Sequence, residues 1–113
     1  MPLIRIQTNT PIPSGTGFNE SITCASSEWL GKPKRYIMVQ LLPEMRMTMA
    51  GQPDPCAFIE VISIALSRSQ IKTVSSELTK LISRELSIKS DRIYIEFKNG
   101  EAENWCWDGV TFG

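Results

Sequence analysis

Ala57-Phe58-Ile59-Glu60-Val61-Ile62-Ser63-Ile64-Ala65-Leu66 is the stretch that decides the architecture. Successive side chains of a strand point to opposite faces, so Phe58, Ile62 and Ile64 share one face and Ile59, Val61 and Ala65 the other. Glu60 and Ser63 apart, both faces are apolar. A second run, Arg35-Tyr36-Ile37-Met38-Val39-Gln40-Leu41-Leu42, stays nearly apolar until Pro43 halts it, and a strand buried on both faces reads this way.

Outward from these two strands the pattern repeats. Leu3 to Thr8 is a short strand that begins beside Pro2 and ends in the turn-forming Asn9-Thr10-Pro11-Ile12-Pro13-Ser14-Gly15. From Phe18 to Leu30, Phe18, Ile22, Ala25 and Trp29 recur at helical spacing, and Gly31 supplies the stop. Met45 to Pro55, with Gly51, Pro53 and Pro55, reads as a loop or a short edge element. A second helix spans Ile71 to about Leu86, with Ile71, Val74, Leu78, Leu81, Ile82 and Glu85 near one stripe and Lys72, Ser76, Lys80 and Arg84 outward. Ile93 to Lys98 alternates again, sending Tyr94 and Glu96 to one side and Ile93, Ile95 and Phe97 to the other.

The order is β-α-β followed by β-α-β. The halves echo each other, Lys32-Pro33-Lys34-Arg35-Tyr36-Ile37 against Lys89-Ser90-Asp91-Arg92-Ile93-Tyr94. This predicts an α+β fold of two pseudo-symmetric units, with a four-stranded mixed sheet and both helices on one face. Two helices cover one face only, while the second and third strands are apolar on both. Sheets of several subunits are therefore expected to pack together over the uncovered face.

At 113 residues the chain reads as one domain, 1–113, without room for a separate cofactor domain. Twelve basic and twelve acidic residues cancel, so no global field recruits nucleic acid or an anionic membrane, and any anion site must be local. Histidine is absent, which excludes a His-based triad and removes the commonest metal ligand. Cys24, Cys56 and Cys106 lack C-x-x-C spacing and read as small buried hydrophobes of a reducing compartment. Neither a basic, apolar leader nor an apolar run near the roughly 18 residues of a membrane span is present, so the expected location is the cytoplasm.

The residues that carry chemistry gather around the chain's start. If Met1 is trimmed, Pro2 presents a secondary amine, which serves as a neutral base once desolvation and a neighbouring cation lower its pKa from the ordinary α-amino value of roughly 8. Lys32 precedes the second strand. In a right-handed β-α-β unit the first two strands run parallel, so Lys32 and Pro2 lie at the same sheet edge. There Lys32 either tunes the amine and holds a carboxylate, or is a solvated lysine at a helix C-terminus. The aromatic tail Asn104-Trp105-Cys106-Trp107-Asp108-Gly109-Val110-Thr111-Phe112 is expected to dock, on a subunit interface or as a pocket wall.

Pro2-Leu3-Ile4 with Thr8-Asn9-Thr10, Gly31-Lys32-Pro33 with Tyr36-Ile37 and Val39, Pro55-Cys56-Ala57, Ser63-Ile64, Asp91-Arg92-Ile93-Tyr94-Ile95, Asn104, Trp107 and Thr111-Phe112 together resemble the macrophage migration inhibitory factor and D-dopachrome tautomerase family. The resemblance runs in order along essentially the full chain. It implies a homotrimer around a central β core with a cofactor-free tautomerase site at each subunit interface. Pro2 would be the general base, Lys32 and the backbone N–H of Ile64 the anion donors, and Tyr94 a contribution of the neighbouring subunit. Tyr36, Trp107 and Phe112 would line an aromatic pocket for a phenylpyruvate-type 2-oxo acid, with Ile62 and Trp105 where the family varies. Glu96 stands where the mammalian cytokine has an asparagine beside the bound ring. Close to Pro2 its carboxylate would raise the amine's pKa; at the far end of the pocket it would accept a hydrogen bond from a substrate hydroxyl. The cytokine's Cys-x-x-Cys is here Cys56-Ala57-Phe58-Ile59, so a thiol–disulfide activity does not transfer.

Two other readings stand beside catalysis. The family includes cytokines secreted without signal peptides, so a signalling protein that binds an unidentified receptor is the alternative. The same element order also describes an RNA-recognition module, which would need aromatics on an exposed basic sheet face; zero net charge and Ile and Val on the third strand argue against it.

Overall fold

The computed structural model describes all 113 residues. Its elements are β1 (Leu3–Thr8), α1 (Gly17–Leu30), β2 (Met38–Leu42), β3 (Ala57–Ile64), α2 (Arg68–Leu86), β4 (Ile93–Gly100), β5 (Cys106–Trp107) and β6 (Val110–Thr111). The sheet order is β2-β1-β3-β4, with β1 parallel to β2, β3 parallel to β4 and β1 antiparallel to β3. Two β-α-β units, each with its strands parallel and joined to the other through the antiparallel β1–β3 pair, give this mixed sheet, as the repeated element order predicts.

Both helices pack on one face. Ile4 and Ile6 of β1 with Ile59 and Val61 of β3 meet Phe18, Ile22 and Leu30 of α1 and Val74, Leu78, Ile82 and Leu86 of α2. The helix stripes differ from the sequence reading by one position in places. In α1 the buried row is Phe18, Ile22, Ser26 and Leu30, while Ala25 and Trp29 sit half-buried at its flank. In α2 Leu86 takes the place expected of Glu85, which is exposed. That helix also starts earlier, at Arg68, because Ser67 and Gln70 form a capping box: each side chain bonds the other's backbone N–H.

The two halves repeat in local detail. Each helix ends on a left-handed residue, Gly31 (φ 62) and Ser87 (φ 55), and each is followed by an extended residue, Pro33 and Lys89, that opens a 3-10 turn, Lys34–Tyr36 and Ser90–Arg92. Structural equivalence therefore pairs Lys32 with Ile88 and Tyr36 with Arg92, one residue off the sequence echo. Tyr36 belongs to the turn, so β2 begins later than the apolar run suggested, at Met38.

The sheet's other face is uncovered. Met38 and Tyr94, equivalent residues on the two edge strands, are 66% and 65% exposed there. Against the expectation of a strand buried on both faces, β2 has no fully buried residue: Val39 and Leu41 are half-buried toward the helices, while Met38 and Gln40 are exposed. A polar row crosses the same face: Arg5 bonds Gln40 (2.7 Å) and Glu60 (3.0 Å), and Lys98 bonds Glu60 (2.7 Å).

The segment 43–55 is a loop with one bridge between Met49 and Gln52. Asn9 donates to the carbonyls of Met47, Pro53 and Asp54, and Arg92 to those of Met49, Gln52, Asp54 and Pro55. Two side chains thus bond six carbonyls of a loop that no periodicity announces. Of the cysteines only Cys56 is buried; Cys24 and Cys106 are exposed, against the expectation for small core residues.

Candidate active site

The start of β1 is fixed by β2, since Met38 donates to the Pro2 carbonyl at 3.0 Å. Pro2 itself is buried, and Met1 ahead of it remains half-exposed. Lys32 reaches the same edge through the end of α1. Gly31 and Lys32 both donate their N–H groups to the Ser27 carbonyl, and the Ser27 hydroxyl donates to the Lys32 carbonyl at 2.6 Å. Ser27 was not among the sequence candidates. Its signal was the serine one turn before a Gly stop, where a hydroxyl can meet the last free carbonyls.

A cavity of about 280 Å³ opens here, lined by Met1, Lys32, Pro33, Tyr36, Ile64, Ala102 and Phe112. A second, of about 160 Å³, shares Met1, Tyr36 and Phe112 with it and adds Pro2, Leu3, Met38, Trp105, Cys106 and Trp107. The walls are apolar except at Lys32. The α-amine of Met1 is held below its ordinary range, first by burial and second by the Lys32 ammonium, both of which oppose the cationic form.

The aromatic wall is built by the C-terminus. Asp108 (φ 51) and Gly109 (φ 80) make a turn of two left-handed residues, which suits a two-residue hairpin and joins β5 to β6. The hairpin carries Trp107 and Phe112 onto Tyr36 in edge-to-face contacts, 5.2 and 6.3 Å between ring centroids. Gly100 lets it settle, because a Cβ there would lie 2.5 Å from the Trp105 indole nitrogen. Asp108-Gly109 is the hairpin signal that the sequence carries, set between the aromatic residues Trp107 and Phe112.

Of the sequence candidates, Pro2, Lys32, Tyr36, Ile64, Trp107 and Phe112 converge at this edge. Tyr94 and Glu96 do not. Tyr94 is in register with Phe58, and Phe58 with Gln7, five residues along β1 from Pro2; at the rise of a strand that is about 17 Å away, and two strands across. Glu96 lies in register with Glu60 on the uncovered face, 4.0 Å from Lys98. Within one chain neither can touch a ligand in the cavity. No group of three or more Cys, Asp or Glu side chains is arranged to hold a metal ion, and no helix is long and apolar enough to cross a membrane.

Comparison with known proteins gives a consistent picture. A family model described as macrophage migration inhibitory factor (MIF) matches residues 1–113. The macrophage migration inhibitory factor of Rattus norvegicus is 37% identical over 114 residues, covering 99% of each chain. The solved structure of the homologue from Prochlorococcus marinus superposes with a TM-score of 0.92 at 37% identity, covering 98% of this chain and 99% of that one. The macrophage migration inhibitory factor from Oncomelania hupensis gives a TM-score of 0.94 at 26% identity, covering all of this chain (100%) and 83% of its own.

Proposed function

The chain belongs to the macrophage migration inhibitory factor family, and on that premise we propose that it is a cofactor-independent keto–enol tautomerase of phenylpyruvate-type 2-oxo acids. Its base is the secondary amine of Pro2, freed when Met1 is removed. One observation carries this reading: the head of β1 opens into apolar cavities lined by Met1 and Pro2 whose one cation is Lys32, a setting that holds the Met1 α-amine below its ordinary range and that the Pro2 amine would inherit once Met1 is removed.

The chemistry follows from those two groups. Lys32 takes the substrate carboxylate, which sets the adjoining C2 carbonyl and C3 beside the amine. The neutral amine accepts a proton from C3; the C–H electron pair becomes the C2–C3 double bond, and the carbonyl electrons move onto oxygen. The protonated amine gives that proton to the oxygen, which completes the enol and restores the neutral base, and the reverse sequence returns the ketone. A base serves best with a pKa near the working pH, which the apolar wall and Lys32 provide for an amine that would otherwise be cationic. Tyr36, Phe112 and Trp107 supply the surface for an aromatic ring.

The uncovered sheet face supports assembly as a homotrimer around a β core, with Tyr94 and Glu96 of one subunit completing the site of the next. Their distance from the cavity in a single chain is what this arrangement requires.

Pro2→Gly, with Met1 removal verified by intact mass, is the direct test. Enol–keto exchange of phenylpyruvate should fall by about a hundredfold or more, the usual worth of a positioned base. Undiminished exchange would remove Pro2 from the reaction.

A further inference from the structure

Lys32, Lys34 and Arg35 are three cations within four residues at the junction of α1 and β2. The chain's ion pairs join Arg5, Lys80, Arg84 and Lys98 to Glu60, Glu77, Glu85 and Glu96, and none involves these three. In a chain of zero net charge this is a local surplus beside the cavity.

The three cations have different surroundings. Lys32 lines the cavity, while Lys34 turns to a separate hollow on α1 with Asn19, Glu20 and Thr23. Arg35 lies over the ring of Tyr36, its guanidinium carbon 4.7 Å from the centroid and Nη2 3.5 Å from the phenolic oxygen. Trp107 and Phe112 brace that ring edge-on, so Arg35 rests on a fixed platform that is itself a cavity wall. Apart from the weak contact to Tyr36, its planar fork of N–H donors is unclaimed, and such a fork matches a carboxylate or phosphate.

We propose that Arg35 is a specificity-determining residue of this cavity, receiving a second anionic group of a ligand whose first is held by Lys32. The preferred ligands are dianionic aromatic acids, with a carboxylate or phosphate on the ring besides the acidic side chain. This rests on the reading of the Lys32 cavity as the substrate site. Glu96, the carboxylate that a second copy would bring to that site, already has Lys98 beside it at 4.0 Å.

The test is equilibrium binding of two ligands without a keto group, so neither is turned over: 3-phenylpropanoate and 3-(4-carboxyphenyl)propanoate, followed by the fluorescence of Trp107 and its neighbours. In the wild-type chain the dianion should bind about three- to fivefold more tightly, the worth of an exposed ion pair. Arg35→Gln should erase that ratio, and Lys34→Gln should retain it. A wild-type chain without the preference overturns the proposal, and is the result if Glu96 of another copy occupies Arg35. A ratio that survives Arg35→Gln also overturns it, including the case in which both ligands weaken alike because Arg35 merely orders Tyr36. Equal loss in Lys34→Gln would mean a diffuse field and not a site. The tautomerase reading fails separately, on the exchange rate of Pro2→Gly.

Discussion

Glu60 is the residue whose replacement tests the sheet most directly. It stands at the centre of the uncovered face with its side chain 8% exposed, accepting from Arg5 at 3.0 Å and Lys98 at 2.7 Å through different oxygens. These two bonds, ahead of the burial that opposes them, hold the carboxyl below its usual range. Glu60→Gln keeps the shape and removes the charge. One amide edge then faces a cation with its own N–H groups, so one charge-assisted bond is lost and the other weakens. A hydrogen bond to a charged group contributes about 1.5–3 kcal/mol. Arg5 is one-third exposed and Lys98 half-exposed, so both can turn to water; the expected net loss at Glu60 is therefore about 1–2 kcal/mol. For a chain of this size that lowers Tm by roughly 4–8 °C.

The pH dependence gives the sharper result. A carboxyl whose folded pKa is depressed contributes its full stability above the unfolded value and loses it as pH falls through the folded one. Lys98, raised chiefly by its bond to Glu60, reports the same contact from the basic side. Thermal melts of wild type and Glu60→Gln at one protein concentration should differ fully at pH 7. The gap should close as pH drops below the ordinary carboxyl range. Equal melting at pH 7, or a gap undiminished once the wild-type carboxyl is protonated, would refute the ion-pair account and leave packing as the cause.

Two further substitutions probe the site's supports. Ser27→Ala removes the 2.6 Å bond to the Lys32 carbonyl, at a cost of about 1 kcal/mol; KM for a 2-oxo acid should rise several-fold with kcat less affected, and an unchanged KM would show that Lys32 is placed without Ser27. Gly100→Ala puts a methyl 2.5 Å from the Trp105 indole nitrogen, overpacking worth about 1–3 kcal/mol. Its tryptophan emission should shift toward that of a solvated indole as the C-terminal hairpin lifts, and a wild-type spectrum and Tm would count against this packing.

The strands and helices were legible because each carries its own period, and the doubled β-α-β order needs only short connections. The convergence of Pro2 and Lys32 was legible for the same reason: a parallel pair of strands brings both to one edge. What escaped has no period. The loop 43–55 is held by Asn9 and Arg92, which are 37 or more residues from every one of these carbonyls, and no local pattern encodes such reach. The separation of Glu96 from the cavity within one chain depends on sheet register, which the alternation of β4 leaves open, whereas the family resemblance already implied that Tyr94 serves a neighbouring subunit.

The internal repeat explains why the chain holds one such cavity and not two. At the equivalent place in the second half a hollow does exist, lined by Asp54, Pro55, Ser87, Lys89 and Arg92. Arg92 stands there in the position of Tyr36, but its guanidinium is spent on four backbone carbonyls and presents no aromatic face. The strand that begins there, β3, continues from Pro55 and Cys56, so its first nitrogen is a peptide amide with no basic lone pair. On the proposed function, the same fold edge serves an amine base in one half, and in the other it holds a structural clasp. Symmetry places both edges alike, but a peptide nitrogen, unlike an α-amine, has no basic lone pair for a surrounding wall to tune.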